Sequence, residues 1–173
     1  CGGETITKRA SMVLNHQGGC AVEVISPTSF KPKGPSFDLA QGDLGLGCTT
    51  VKTPDIRLMH EHARSIDGIK CDEDFVIDSL GRLTFYLRDY DNNLFQILES
   101  DQWFSNHGHP SGGIMGCTIG VSNIEESFKL YCDILGYDKV LLDESGRFED
   151  WAHLPGGDEK YRRVILAQTN PGT

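Results

Sequence analysis

Apolar residues recur with helical spacing in two stretches of the chain. In Asn123–Leu135 they stand at intervals of four, three and four positions, which places them on one face of a helix. Ser122 and Glu125 form a capping-box pattern at its start, and Gly136 suits the left-handed residue that ends many helices. A second helix is predicted over Pro54–Ile66, because proline favours the first helical position and the aspartate after it complements the helix dipole.

Short extended stretches surround both helices. One precedes each helix and three follow it, separated by turns rich in Gly, Asn and Asp. The strand candidates are Leu46–Lys52, Asp74–Asp78, Leu83–Leu87 and Leu94–Glu99 around the first helix, and Ile114–Val121, Lys139–Asp143, Phe148–His153 and Arg162–Gln168 around the second. This order of elements predicts an α+β fold.

The chain repeats this pattern. "GCTTVKTPDI" at Gly47–Ile56 and "GCTIGVSNI" at Gly116–Ile124 begin corresponding units whose starts lie 69 residues apart. Residues 44–100 are therefore predicted to form a complete βαβββ unit. Residues 114–173 are predicted to form a second unit that lacks its last strand, and the Gly-rich residues 101–113 to link the two.

The beginning of the chain resembles the end of such a unit. Arg9–Ser26 carries two strands around a Gly-rich turn and matches Arg82–Ser100 in pattern, so that Glu23 aligns with Gln96. Residues 1–27 are accordingly predicted to be the last strands of a preceding unit, and the Pro-rich residues 28–43 a connector. A βαβββ unit leaves one sheet face open and must pair with another to bury it.

Charge and hydropathy narrow the range of partners. The net charge of −9 argues against nucleic acid, which needs a concentrated basic surface. The densest basic cluster, Lys160 with Arg162 and Arg163, is predicted to be a solvated strand edge. No stretch approaches the ~18–20 consecutive apolar residues of a membrane span. A small-molecule ligand or substrate is therefore the expected partner, with a homodimer or pairing with missing units of a longer chain as alternatives.

The six cysteines contain no C-x-x-C pair and no zinc-finger spacing. Most lie in apolar contexts, where a free thiol packs as a small hydrophobic group, so reduced structural thiols are favoured over disulfides. A cytoplasmic location fits this reading. Cys1-Gly2-Gly3 would also suit the start of a mature lipoprotein, so a periplasmic or lipid-anchored location stays an alternative. The same start would equally suit an excerpt from a longer chain.

Two signatures resemble the vicinal oxygen chelate superfamily, which includes glyoxalase I, bleomycin-resistance proteins and extradiol dioxygenases. "VSNIEESFKLYCDILGY" resembles the first helix of its units, with a Leu-Gly-aromatic ending. "FYLRDYDNNLFQILE" resembles its Asp-Pro-Asp-Gly-Asn turn and closing strand, although Tyr90 replaces the proline and Asn92 the glycine. The resemblance implies paired βαβββ units that form a cupped sheet.

The resemblance also implies a divalent metal in the cup, either Zn, Mn, Fe or Ni, that stabilises an oxyanionic intermediate. Carried over by position, the last-strand ligands would be Glu23, also the candidate catalytic residue, and Gln96. The first-strand positions offer Gly47 or Cys48 and Gly116 or Cys117, so Cys48 is the remaining candidate ligand. The alternatives are an outward-facing Glu23, a Gln96 that hydrogen-bonds inside the cup, and a Cys48 that only packs.

The resemblance thus implies a protein that binds a small oxygen-rich molecule in a sheet-lined cup. Metal-assisted lyase, isomerase or dioxygenase chemistry is the expected activity if the protein is an enzyme. A metal-free binder that sequesters its ligand is the competing hypothesis. A third is that these units are ancillary parts of a longer tandem whose other units carry the chemistry.

Overall fold

The computed structural model describes residues 5–169, which form an α+β fold as predicted. The strands are β1 (Lys8–Leu14), β2 (Ala21–Pro27), β3 (Gly45–Thr53), β4 (Lys70–Cys71), β5 (Val76–Ile77), β6 (Leu83–Arg88), β7 (Leu94–Glu99), β8 (Ile114–Gly120), β9 (Lys139–Gly146) and β10 (Tyr161–Ala167). The α-helices are α1 (Ile56–Arg64) and α2 (Ile124–Phe128). None of the helices in residues 5–169 has the length and hydropathy needed to cross a membrane.

Six strands form the main sheet. Its order is β4-β6-β7-β3-β8, and the short β5 also pairs with β6. Strand β3 lies parallel to β7 and antiparallel to β8. The other four strands form two separate hairpins, β1–β2 and β9–β10, that share no hydrogen-bonded edge with the main sheet within the described residues.

Helix α1 covers one face of the main sheet. Asp55 is its N-cap, and the carboxylate accepts hydrogen bonds from the backbone N–H groups of Arg57 and Leu58. The helix buries Ile56 and Ala63 in a cluster with Val51, Phe85 and Ile97 of the sheet. Side chains alternate between the two faces along each strand, and the strand residues of this cluster all lie on the face that α1 covers. The cluster is the main hydrophobic core.

The second helical region differs from the continuous α-helix predicted over Asn123–Leu135. Helix α2 ends at Phe128, and Lys129–Ile134 continues as a π-helix. Neither segment contains a buried residue. Most of the stability of a helix in a protein comes from packing its apolar face. Within the described residues the apolar stripe of this region is at most half-buried, so packing holds it in regular α geometry less firmly than it holds α1.

Strand prediction succeeded best where a clear turn signal precedes a short, mainly apolar run. Leu94–Glu99 is observed with the predicted ends. The predicted strand Phe148–His153 is wrong, because Glu149–Trp151 forms a 3-10 helix. The N–H of Trp151 donates to the carbonyl of Phe148 at 2.9 Å, and the N–H of Ala152 to that of Glu149 at 3.2 Å. Local bonds of this kind close a turn in which the side chain of Asp150 points into the protein.

The β1–β2 hairpin is attached to the body through its turn. The side chain of Gln17, only 3% exposed, donates to the carbonyl of His109 at 2.8 Å. Its amide oxygen accepts from the N–H groups of His107 and His109 at 3.0 and 3.1 Å. The turn is therefore fixed to the segment that precedes β8, whereas both strands of the hairpin are exposed.

We expect Phe85→Ala to lower the free energy of unfolding by about 3–5 kcal/mol, because it removes a fully buried ring from the core beneath α1. Urea denaturation followed by circular dichroism measures the change. Leu44→Ala is the control, since Leu44 is 72% exposed and should shift the free energy by less than about 0.5 kcal/mol. Equal losses in both variants would contradict the assigned core.

Candidate functional site

The sheet face opposite α1 carries the candidate site residues. Side chains alternate along each strand, so Cys48 and Leu94 lie on this face and cluster with Tyr86 and Leu154. Gln96 pairs with Thr50 of β3 on one side and with Tyr86 of β6 on the other. This surface, called the open face below, is therefore built from three adjacent strands with polar groups among apolar ones.

A cavity of about 530 Å³ lies at one end of the open face. The start of β3, the turn between β6 and β7 and the start of β2 bound it. Its polar lining includes Glu23, Asp43, Arg88, Asn92 and Asn93. Its apolar lining includes five leucines, at residues 39, 44, 46, 94 and 154. The cavity thus combines a leucine-rich wall with hydrogen-bonding groups at the tip of the β6–β7 hairpin.

Glu23 lies on the exposed β1–β2 hairpin and lines this cavity. One carboxylate oxygen is 3.7 Å from Nζ of Lys8, and the Glu23 side chain is 46% exposed. Glu23 is therefore not buried as its apolar strand suggested, and its charge does not require a metal or a buried hydrogen-bond partner. The weak, solvent-screened pair with Lys8 is sufficient to accommodate the charge.

Cys48 is 3% exposed and also lines the cavity. Burial raises the pKa of its thiol to about 12, while the Gln96 backbone and the charge of Arg88 act in the opposite direction. The thiol is consequently protonated at neutral pH. A protonated thiol packed among apolar side chains is a poor metal ligand, because thiolate is the form that coordinates.

Gln96 is half-buried on the open face. Its Oε1 accepts a hydrogen bond from the hydroxyl of Thr50 at 3.4 Å. The structure therefore brings Glu23 and Cys48 to one cavity but holds Gln96 further along the sheet in a bond to a neighbouring strand. Gln96 is not among the residues that line the cavity.

This set of donors does not fit a metal as the resemblance implies. Glu23 is paired with Lys8, Cys48 is protonated, and the Gln96 oxygen is bonded to Thr50. Within residues 5–169 there is no group of three His, Cys, Asp or Glu side chains arranged to hold an ion. The predicted ligand set accordingly stays a hypothesis, and the cavity is best described by its hydrogen-bonding groups.

A buried ionic cluster, which the sequence did not reveal, closes the open face beside Tyr86. Asp150 accepts from the Tyr86 hydroxyl at 3.1 Å and from Nη1 of Arg163 at 3.0 Å. The guanidinium carbon of Arg163 stands 3.5 Å from the ring centre of Trp151 and 4.1 Å from that of Phe148. The Arg163 guanidinium thus forms an ion pair with Asp150 along one edge and stacks on the rings of Trp151 and Phe148.

The prediction of a solvated basic edge is wrong for Arg163, whose side chain is only 9% exposed. Its neighbour Arg162 does lie at the surface, paired with Asp143 and Glu125. Alternation along β10 explains the difference, since adjacent residues of a strand point to opposite faces. The nearby aromatic residues Phe148 and Trp151 were the available signal, because such rings often stack on a buried guanidinium.

Burial also affects the Tyr86 hydroxyl. Desolvation, followed by the charge of Asp150, raises the pKa of this phenol far above its ordinary value. The hydroxyl therefore stays protonated and acts as a hydrogen-bond donor. Its role is to fix Asp150, and through it the segment that packs over the open face.

Histidines are gathered at a second place. A cavity of about 560 Å³ next to the hairpin turn is lined by His16, His107 and His109. The His107 Nε2 is bonded to the Ser105 hydroxyl at 2.8 Å. His153 stands elsewhere, with Nε2 2.9 Å from a carboxylate oxygen of Asp72. These imidazoles are therefore separate from the cavity that contains Glu23 and Cys48.

No family model, no curated protein and no solved structure matches this chain. The resemblance to the vicinal oxygen chelate superfamily therefore rests on the sequence patterns alone.

Removing the carboxylate of the buried cluster should destabilise the protein strongly. We expect Asp150→Ala to lower the free energy of unfolding by about 3–5 kcal/mol, because it leaves the buried Arg163 charge without its carboxylate. Urea denaturation measures the loss. Asp143→Ala, which removes a carboxylate from the exposed Arg162, should change stability little. Similar losses from both would contradict a special role for the buried pair.

Burial should protect the Cys48 thiol from alkylation. With iodoacetamide at neutral pH, we expect exposed Cys20 and Cys117 to be labelled well before Cys48, which is buried and has a raised pKa. Peptide mass spectrometry over time measures the three rates, and labelling in urea should make them similar. Labelling of Cys48 as fast as Cys20 in the folded protein would show that the cavity wall opens readily.

Proposed function

We propose that this chain is a member of the vicinal oxygen chelate superfamily that binds a small oxygen-rich molecule in the cavity at the end of the open face. The order of elements supports the assignment: a strand, a helix, then further strands, with the first strand β3 parallel to the last strand β7. One face of this unit is covered by α1, and the opposite face borders the cavity.

The observation that carries the binding proposal is the position of Arg88. It lines the cavity, and its Nη1 donates to the backbone carbonyl of Asn92 at 3.0 Å. Within residues 5–169, the salt bridges leave Arg88 without a carboxylate partner. A guanidinium has five N–H donors, so most of them remain for a ligand.

The rest of the lining suits the same kind of ligand. Asn92 and Asn93 lie beside Arg88 and contribute amide groups, of which the Asn93 Nδ2 also donates to Asp89 at 2.9 Å, and the apolar part of the lining includes five leucines. Pockets for small molecules commonly combine an apolar lining with a few placed polar groups that fix orientation. The ligand class is therefore a compact molecule with carbonyl, hydroxyl or carboxylate oxygens at one end and an apolar body.

Among the functions considered, metal-free binding is the one that the donor geometry supports best. It needs neither a Cys48 thiolate nor a Glu23 released from Lys8. Metal-dependent lyase, isomerase or dioxygenase activity, implied by the resemblance, stays a prediction.

Thermal-shift screening of small hydroxy acids, dicarbonyls and catechols, each with and without Zn²⁺ or Mn²⁺, would test the proposal. We expect at least one compound to raise the melting temperature of the metal-free protein, because binding to the native state stabilises it. Arg88→Gln should weaken that compound about tenfold or more in calorimetric titration, since it removes a charged hydrogen-bond donor from the cavity.

Arg57→Gln is the matched control, because Arg57 is exposed on α1 and stacks beside Phe75 rather than lining the cavity. It should leave the affinity unchanged. Binding that appears only with metal would favour the metal-dependent alternative. Binding that Arg88→Gln and Arg57→Gln affect equally would contradict the assigned cavity.

A further inference from the structure

Part of the cavity lining belongs to the connector between β2 and β3. Residues 39–44, called the strap below, end just before β3, and five of the six line the cavity. Leu39 and Leu44 are nevertheless 45% and 72% exposed. The strap therefore borders both the cavity and the solvent.

The strap receives little support from the chain before it. Residues 30–38 are exposed and form no hydrogen bond within the described part of the chain. Inside the strap, the N–H of Asp43 donates to the carbonyl of Ala40 at 3.2 Å, and the N–H of Ala40 donates to Oδ2 of Asp43 at 2.9 Å. These local bonds shape the strap as a turn but do not attach it to the body of the protein.

Attachment comes from the segment between β9 and β10 and from the first residue of β10. The N–H of Gln41 donates to the carbonyl of Pro155 at 2.8 Å. The hydroxyl oxygen of Tyr161 is 2.7 Å from the carbonyl oxygen of Gln41 and 2.8 Å from that of Gly156. A hydroxyl has one proton to donate, so these two carbonyls share it. This contact of Tyr161 with the strap is called the latch below.

Two glycines allow the strap to approach this closely. A Cβ atom on Gly42 would stand 2.5 Å from a ring carbon of Tyr161, and one on Gly156 would stand 2.9 Å from the carbonyl oxygen of Gln41. Both glycines have left-handed backbones, with φ of +92° and +72°, which a residue without Cβ adopts at no steric cost. The latch therefore depends on glycine at both positions.

The Tyr161 side of the latch is the rigid one. Its ring packs edge-on against Trp151 with the ring centres 5.8 Å apart, and Trp151 stacks on the buried guanidinium of Arg163. Tyr161 is thus joined to the cluster that closes the open face. Segments with few buried contacts open at a low cost in free energy. Opening at the latch should therefore move the strap and leave Tyr161 in place.

We propose that Tyr161 is a positioning residue that holds the strap against the cavity, and that release of this latch opens the cavity to small molecules. Cys48 lines the cavity and packs with Leu154, which precedes Pro155, so the same release exposes the Cys48 thiol. A role of the latch in ligand entry rests on the proposed function. The latch itself is a contact within the chain and is testable without any ligand.

Alkylation of the full chain by iodoacetamide at neutral pH, resolved by peptide mass spectrometry, tests the latch. We expect Tyr161→Phe to raise the labelling rate of Cys48 about fivefold or more, because the ring stays and only the hydroxyl bonds that hold the strap are lost. The rate at Cys71, which packs against the core beneath α1, should not change.

Gly42→Ala tests the same latch while the Tyr161 hydroxyl stays in place. The added methyl group would overlap the Tyr161 ring at a left-handed backbone position, so the strap must move away from the ring. We expect faster labelling of Cys48 in this variant as well, again with no change at Cys71.

Tyr137→Phe is the matched control, because the Tyr137 hydroxyl forms no hydrogen bond within residues 5–169 and its ring packs beside Tyr131. Its Cys48 should be labelled at the wild-type rate. An unchanged Cys48 rate in Tyr161→Phe would overturn the proposal. Equal acceleration at Cys48 and Cys71 would also overturn it, because it would show a general loss of stability. No ligand is added, so a thermal-shift screen without a hit would contradict the proposed function and leave the latch unaffected.

Discussion

The parallel pairing of β3 with β7 is the constraint on which the rest of the described structure depends. Helix α1 carries the chain from β3 across one face of the sheet, and the following strands return it so that β7 fits against β3. Strand β3 then has one side left for β8, and the sheet can continue into the second half of the chain. Because this crossover places α1 on one face of the main sheet, the opposite face remains as the open face.

The open face is closed in a different way. Within residues 5–169 no α-helix lies on it. Instead, the segment between β9 and β10 packs against Tyr86 through Leu154 and Asp150, and Asp150 forms a buried pair with Arg163 of β10. A buried ion pair is a costly means of closing a surface, since both charges lose water. The aromatic rings of Phe148 and Trp151 offset part of this cost by stacking on the guanidinium. Closure of this face therefore depends on a small number of directional contacts.

Much of the fold could be predicted from local patterns. Leu94–Glu99 is a short, mainly apolar run that follows the turn-rich residues 89–93, and its observed limits are the predicted ones. Ile56 and Ala63 follow the helical period and are buried where that period places them. These predictions succeed because the side-chain direction in one element follows from its own backbone geometry.

Predictions failed where long-range packing decides the outcome. Arg163 lies in a basic run, yet the rings that bury it come from a segment whose position cannot be derived from periodicity. Glu23 lies in an apolar strand, which suggested burial, but both strands of the hairpin that contains it are exposed.

The Gln17 contact has a consequence for the order in which the molecule is assembled. Its hydrogen bonds join residues that are 90 and 92 positions apart, across the whole of the first sheet unit. Closing a loop of this size lowers the conformational entropy of the chain before any contact across the loop can form. Contacts between such distant segments therefore usually form late in folding. The hairpin near the beginning of the described chain is thus fixed in place only after the main sheet has brought the segment before β8 into position.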